Sequence, residues 1–175
     1  MFNKAGIVVG ILIVLLIGLA MTKPDTFSVH RSVSIQASPE KIFPLINDFH
    51  SWNSWSPWET IDPTMKKSFS GSPNGNGAVY DWDGNSKVGQ GHMEITQSIP
   101  PSKVIIKLDF LKPVEGHNTA EFTLEPNGNS TTVTWTMSGP SRFITKVMQV
   151  FISMDSMLGK EFEKGLGNLK TISEK

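Results

Sequence analysis

Four histidines, His30, His50, His92 and His117, are the side chains best suited to move protons near neutral pH. None stands in a His-Glu-x-x-His or comparable spacing, so the sequence offers no zinc site. His92 and Glu94 form the best acid/base pair. They lie two residues apart on one face of a strand, where a carboxylate can hold and charge an imidazole. Asp81 and Asp83 share a face in the same way, but the alternation around them reads as a solvated sheet surface. No nucleophile-elbow, nucleotide-binding or haem-attachment signature is present. The 175 residues include no cysteine, which excludes disulfides, thiolate catalysis and Cys-ligated metals. No residue is assigned as catalytic, and neither cofactor nor metal is expected.

Three of the five tryptophans fall between Trp52 and Trp58. They read either as indole walls at a cavity mouth or as a plug of packed rings with their N–H groups on backbone carbonyls. Packing is the commoner fate of such rings and is the expected one. The loop Gly71 to Gly77 lacks the Gly-Lys-Ser/Thr ending of a phosphate cradle, and a strand rather than a helix follows it. Formal net charge is zero. Removing Lys4 and Lys23 from the 16 basic residues leaves 14 against 16 acidic ones from Pro24 onward, or −2. The basic residues are scattered, so no nucleic-acid partner is expected.

The elements that must position these residues begin with an apolar segment. Ala5 to Thr22 carries no charge, and as a helix it would extend about 27 Å at about 1.5 Å per residue. The expectation is a single-pass membrane anchor over residues 1–23 and a separate domain over residues 24–175. A cleaved signal peptide is the rival, with Gly18 and Ala20 before the cut, but the strict Ala-x-Ala pattern is missing. Lys4 and the α-amino group argue for an N-in topology with the domain on the extracytoplasmic side.

The domain then alternates apolar and polar residues in successive stretches, as half-buried strands do. Phe27, Val29, Val33 and Ile35 share the first inward face, with Arg31 among them, in a place that calls for an ion pair or a sheet end. Ser38-Pro39-Glu40 starts a helix, which Pro44 shortens or kinks. Later strands group Tyr80 with Trp82 on one face, Val104 with Ile106, Leu108 and Phe110 on one face, and Met93 with Ile95 opposite His92 and Glu94, where strand register decides which face turns inward; they direct inward Ala120, Phe122 and Leu124, and Val133, Trp135 and Met137. Gly89 and Gly91 mark sharp curvature or close approach of another element. Asp83-Gly84-Asn85 reads as a hairpin turn.

From Ser141 to Lys175 the pattern changes to one long amphipathic helix. Its apolar stripe includes Phe151, Met154, Leu158, Phe162, Leu166 and Leu169, while Asp155, Lys160, Glu161 and Glu163 mostly take the other faces. The fold class that follows is α+β. A curved antiparallel sheet of six or seven strands grips this helix, with two short helices after the first strand and the N-terminal transmembrane helix outside.

This order resembles the SRPBCC superfamily, the helix-grip fold of START domains and polyketide cyclases. The matching residues are Ile35-Gln36-Ala37-Ser38-Pro39-Glu40, Phe43, Asn47-Asp48-Phe49 and Trp52 to Trp58. Gly77 to Trp82, Val88-Gly89-Gln90-Gly91, Val133-Thr134-Trp135 and Gly159 to Leu166 are similar to the bacterial polyketide-cyclase-like branch. The resemblance implies a cavity between sheet and helix that takes a lipid, sterol or polyketide, and in a minority of members an enzyme. The leading expectation is a membrane-tethered module binding a hydrophobic small molecule or lipid. Its expected walls are Trp82, Phe110, Phe122 and Trp135 from the sheet, with Phe151 and Leu158 from the helix. His92 and Asp155 are its expected polar groups. The alternatives are a cyclase-, dehydrase- or hydrolase-type enzyme using His92 or Glu94, and a protein-interaction domain in which the helix fills the groove.

Overall fold

The computed structural model describes residues 4–175. Helix α1 (Lys4–Met21) leads into β1 (Thr26–Ile35), followed by α2 (Pro39–Asn47), a 3-10 turn (Phe49–Ser54) and α3 (Trp58–Ile61). Six further strands come next: β2 (Lys66–Gly71), β3 (Ala78–Asp83), β4 (Gln90–Ile99), β5 (Lys103–Lys112), β6 (Gly116–Asn127) and β7 (Ser130–Pro140). The chain then forms α4 (Phe143–Phe151) and α5 (Met154–Ser173). All seven strands make one antiparallel sheet in the order β1-β7-β6-β5-β4-β3-β2. This is the α+β grip of a curved sheet on a C-terminal helix that the alternation calls for.

The membrane expectation is overturned. Among the described residues no helix is long and apolar enough to cross a membrane. Helix α1 has 18 residues including Lys4, so 17 uncharged ones, about 26 Å against a hydrocarbon core of about 30 Å. It lies along α4, with Ala20 buried and Asp25, just after it, accepting a hydrogen bond from Lys146 Nζ. The single-pass anchor and the extracytoplasmic placement built on it therefore do not stand. The α-amino group used for that topology lies outside the described residues.

A second correction concerns the last helix, which is two helices. Ile152 is extended, and the Ser153 hydroxyl accepts the Ser156 N–H at 3.1 Å, capping a new start. The break turns α4 away from the sheet to meet α1, and only α5 lies in the grip. The third correction is at Asp83-Gly84-Asn85, where the expected tight hairpin is a longer connection. Pairing with β3 resumes only at Gln90, and Gly89 turns the chain at a φ of 67° that side-chain-bearing residues rarely adopt.

Gly91 allows a close approach. A Cβ there would meet the Trp82 ring at 2.3 Å. Register shifts at Gln90/Gly91 and Ile95/Gln97 place bulges in β4, the device that bends a sheet around what it holds. Arg31 resolves as an ion pair. Its guanidinium donates to both Asp155 oxygens, at 2.7 and 3.0 Å, and to Glu163 Oε1 at 2.7 Å. Asp155, Gly159 and Glu163 form one stripe of α5, and a Cβ on Gly159 would sit 2.0 Å from Arg31 Nη2. The glycine thus makes room for the clamp that ties β1 to α5. The paired guanidinium holds the Asp155 carboxyl below its ordinary range.

The core is an aromatic stack from Phe162 through Trp135, Phe122, Trp55 and Trp52 to Phe49 and Tyr80. Trp52 and Trp55 hang on the end of α2. Their indole N–H groups donate to Ile46 O at 3.0 Å and Leu45 O at 2.9 Å, carbonyls left without partners where a helix stops.

Candidate functional site

Two adjoining cavities lie on the inner face of the sheet, an inner one against the Trp52–Met65 segment and an outer one against α5. The inner one is about 40 Å³, bordered by Trp52, Glu59, Tyr80, Trp82, Leu108 and Trp135 among others. That volume suits a few waters rather than an organic ligand. The outer one is about 440 Å³ and opens between the start of α5, α4, the β5–β6 turn and the ends of β1 and β7. Its size falls within the range of small-molecule sites. Trp58, Val88, Phe110 and Met137 border both cavities. Met148, Met154, Met157 and Leu158 complete an unusually methionine-rich wall. Unbranched thioether side chains adapt to irregular apolar shapes, so such a wall tolerates variation in its occupant.

The inner cavity carries one polar pair. Tyr80 Oη donates to Glu59 Oε1 at 2.8 Å, and Lys67 Nζ donates to Glu59 Oε2 at 2.6 Å. Burial, reinforced by the Glu59 acceptor, pushes the Tyr80 phenol well above its ordinary value. Tyr80 is therefore a fixed hydrogen-bond donor at neutral pH.

The rim of the outer cavity is charged. Lys87, Lys112, Glu115, His117 and Arg142 border it. His117 bridges Asp109 at 2.8 Å and Glu115 at 3.0 Å, and Arg142 reaches Glu115 at 3.5 Å, linking the β5–β6 turn to the start of α4. The hydrogen bond to Asp109, then that to Glu115, raises the His117 pKa above its ordinary 6.5. Burial alone would raise the Asp109 carboxyl, but its bonds to His117 and Lys107 outweigh that and hold it low.

The sign of the resulting pH dependence follows. The His117 contribution is complete below about pH 6.5 and is lost as pH rises through its folded-state pKa; that of Asp109 is lost only in acid. The stability gap between wild type and His117→Ala, from urea denaturation, should be larger at pH 5.5 than at pH 8.5. An equal gap, or a larger one in alkali, would refute the bridging role.

The structure distributes the expected site residues unevenly. Trp82 and Trp135 border the inner cavity, Leu158 the outer one and Phe110 both. Phe122 is wholly buried within the aromatic stack and borders neither. His92 lies on the outer face of the sheet, its Nδ1 2.7 Å from Asp81 Oδ1, and Glu94 stands opposite Lys107. The structure does not bring this pair to a cavity. Phe151 is 73 % exposed at the end of α4, and Asp155 is engaged by Arg31. Met137, Glu59 and Glu161 border the cavities without having been expected to, whereas Trp58, for which packing was expected over the alternative of an indole wall, borders both. Glu161 had a signal: it follows Met154 by seven residues and Leu158 by three, on the pocket-facing stripe of α5. Among the described residues no group of three or more acidic or histidine side chains is placed to hold a metal.

A seven-stranded sheet closed over its last helix, with a cavity at the open end of the grip, defines the helix-grip class. The profile of the family described as polyketide cyclase / dehydrase and lipid transport matches residues 26–174, and the chain belongs to that family. No curated protein matches its sequence. Among solved structures, protein CV1439 from Chromobacterium violaceum is 14% identical with a TM-score of 0.58, covering 87% of this chain and 99% of that one. The Aha1 dimer from Colwellia psychrerythraea is 18% identical with a TM-score of 0.55, covering 85% and 94%. The di-domain aromatase/cyclase BexL of the BE-7585A biosynthetic pathway is 14% identical with a TM-score of 0.62, covering 91% of this chain and 53% of that one. At these identities the likeness is one of fold.

Proposed function

We propose that this protein binds a hydrophobic small molecule or lipid in the outer cavity. The observation that carries the reading is the apolar chamber of about 440 Å³, walled by Trp58, Phe110, Met137, Met154 and Leu158 and open at one end. The family to which the chain belongs, described by cyclase, dehydrase and lipid-transport roles, supports the same reading. Burial of an apolar ligand against these walls would contribute roughly 25 cal/mol per Å² before the entropic costs of association.

Trp58 provides the readout. Titration with 1-anilinonaphthalene-8-sulfonate should give saturable energy transfer from tryptophan, and native mass spectrometry of the gently purified chain should reveal a co-purifying apolar species. Leu158→Trp, which places an indole in the chamber, should weaken binding at least about tenfold, equivalent to about 1.4 kcal/mol. Its urea midpoint should stay near that of wild type. Probe binding that is non-saturable, or unaffected by Leu158→Trp, would defeat the reading.

A further inference from the structure

The charged groups around the outer cavity do not cancel. Lys87, Lys112, Arg142 and His117 border it against two carboxylates, Glu115 and Glu161. Glu115 is taken up by His117 at 3.0 Å and Arg142 at 3.5 Å. Lys87 and Lys112 form no ion pair among the described residues. Two ammonium groups without counter-ions thus stand at the edge of a mainly apolar chamber.

The two lysines belong to one corner of the fold. Lys112 pairs with Gln90 across the β4–β5 ladder, and Lys87 lies just before Gln90 in the chain. Gly89, between Lys87 and Gln90, packs so closely on the Lys112 carbonyl that a Cβ there would lie 2.1 Å from its oxygen. The turn that presents Lys87 is pinned. The Lys87 N–H donates to Asn85 Oδ1 at 2.8 Å, the Gly89 N–H to Asn85 O at 2.8 Å and the Gly84 N–H to Gly89 O at 2.9 Å. Ser86 adds a hydroxyl at the same corner. Nearby carboxylates leave the corner positive: Asp62 accepts from the Asn85 N–H and from Thr64, and Asp83 does not border the chamber. The other neutral polar groups on the wall, Asn118 and Thr145, can hydrogen-bond to a ligand but carry no charge with which to choose its sign. Glu161, on α5, repels an anion from its own wall and so favours an anionic group at the lysine corner.

We propose that the outer cavity takes an anionic amphiphile, a single apolar tail ending in a carboxylate or phosphate head, and that Lys87 and Lys112 select it by holding that head at the mouth. This rests on the ligand-binding reading above and adds the sign of the ligand's charge. A neutral amphiphile gains the apolar walls alone, and a cationic one meets two like charges. Both lysines are exposed, so the selection is modest at each and is screened by salt.

The test compares decanoate, 1-decanol and decyltrimethylammonium as displacers of Nile red. That probe is neutral, so changes at the lysines do not bias its own binding. At low salt wild type should bind decanoate about fivefold or more tightly than decanol, and the ammonium compound most weakly. The preference should shrink towards unity near about 1 M salt, where the Debye length is about 3 Å. Decyl phosphate, run beside decanoate, distinguishes the two heads, and an advantage of either over decanol supports the proposal. In the double variant Lys87→Met, Lys112→Met, which keeps the apolar stems, the preference should fall to near unity. Lys87→Arg with Lys112→Arg should retain it. If neither anion outdoes decanol in wild type, or if the preference survives in the double methionine variant, the proposal is overturned and the ligand-binding reading stands. Absence of saturable Nile red binding, together with no binding of any decyl compound by calorimetry, would overturn both. The wild-type comparison alone decides the matter should a variant fold poorly.

Discussion

Replacing Trp55 with alanine should cost the domain about 3–5 kcal/mol, as large aromatic truncations in cores do. Only 1 % of its surface is exposed, and its ring meets Phe122 and Trp135 edge-on with centroids 5.9 and 5.7 Å away. Such aromatic pairs contribute beyond the area they bury. The same substitution strands the Leu45 carbonyl at the end of α2, which now accepts the indole N–H at 2.9 Å. Against a typical margin of about 5–15 kcal/mol, a loss of this size places the variant near the edge of folding. Urea denaturation of wild type and variant measures it. Trp55→Phe should recover most of the packing and leave the stranded carbonyl, so its cost should fall between the two. Phe151→Ala is the matched control: that ring is exposed on α4, and its removal should change stability by no more than about 0.5 kcal/mol. A loss at Trp55 below about 1 kcal/mol would show that the tryptophan cluster does not hold the grip together.

The second large effect is expected at Phe162. It is fully buried and lies nearly parallel to Trp135, at an interplanar angle of 8° and a centroid distance of 4.2 Å. Phe162→Ala should also cost about 3–5 kcal/mol, with the value set by how far α5 can settle into the space left. Its second consequence separates it from Trp55→Ala. The Trp135 ring forms part of the inner cavity, which holds only about 40 Å³ in the wild type. Removing the ring stacked on Trp135 opens an apolar void beside it, and apolar voids of that kind stay dry and take up small hydrocarbons. Benzene should therefore raise the melting temperature of Phe162→Ala by more than it raises that of wild type. A variant that loses stability without responding to benzene would mean that α5 collapses onto Trp135 instead.

The second prediction concerns a residue whose inward direction was legible from the chain alone, as was that of the ring it stacks on. Phe162 recurs with Leu158, Leu166 and Leu169 at helical spacing, and Trp135 alternates with threonines on β7. A side chain's period needs no knowledge of its neighbours, so the sheet, its inward faces and the gripped helix all followed from it. The Arg31 anomaly was readable for the same reason: an arginine on an apolar face demands a carboxylate, and α5 supplies Asp155 and Glu163.

Other features depended on pairing and packing that no local pattern contains. Hydrophobic periodicity ran smoothly from Ile144 to Leu169, yet the serine at 153 caps a new helix and carries Phe151 away from the sheet. His92 and Glu94 shared a strand face as expected, but only the register Asp81↔His92 and Glu94↔Lys107 decides that this face lies outside the grip. The apolar run at the N-terminus was read as a membrane anchor from its composition, whereas its helical length and its packing on α4 decide otherwise. The sequence by itself determined the α+β class of the domain and which side chains share a face of each strand, because those follow from period and volume. Tertiary structure alone decided which inward side chains pack against one another and which border open space. It is the bend of β4, the break before α5 and the seating of Phe162 on Trp135 that leave Glu161 beside an apolar chamber. Such placements arise from contacts between residues far apart in the chain.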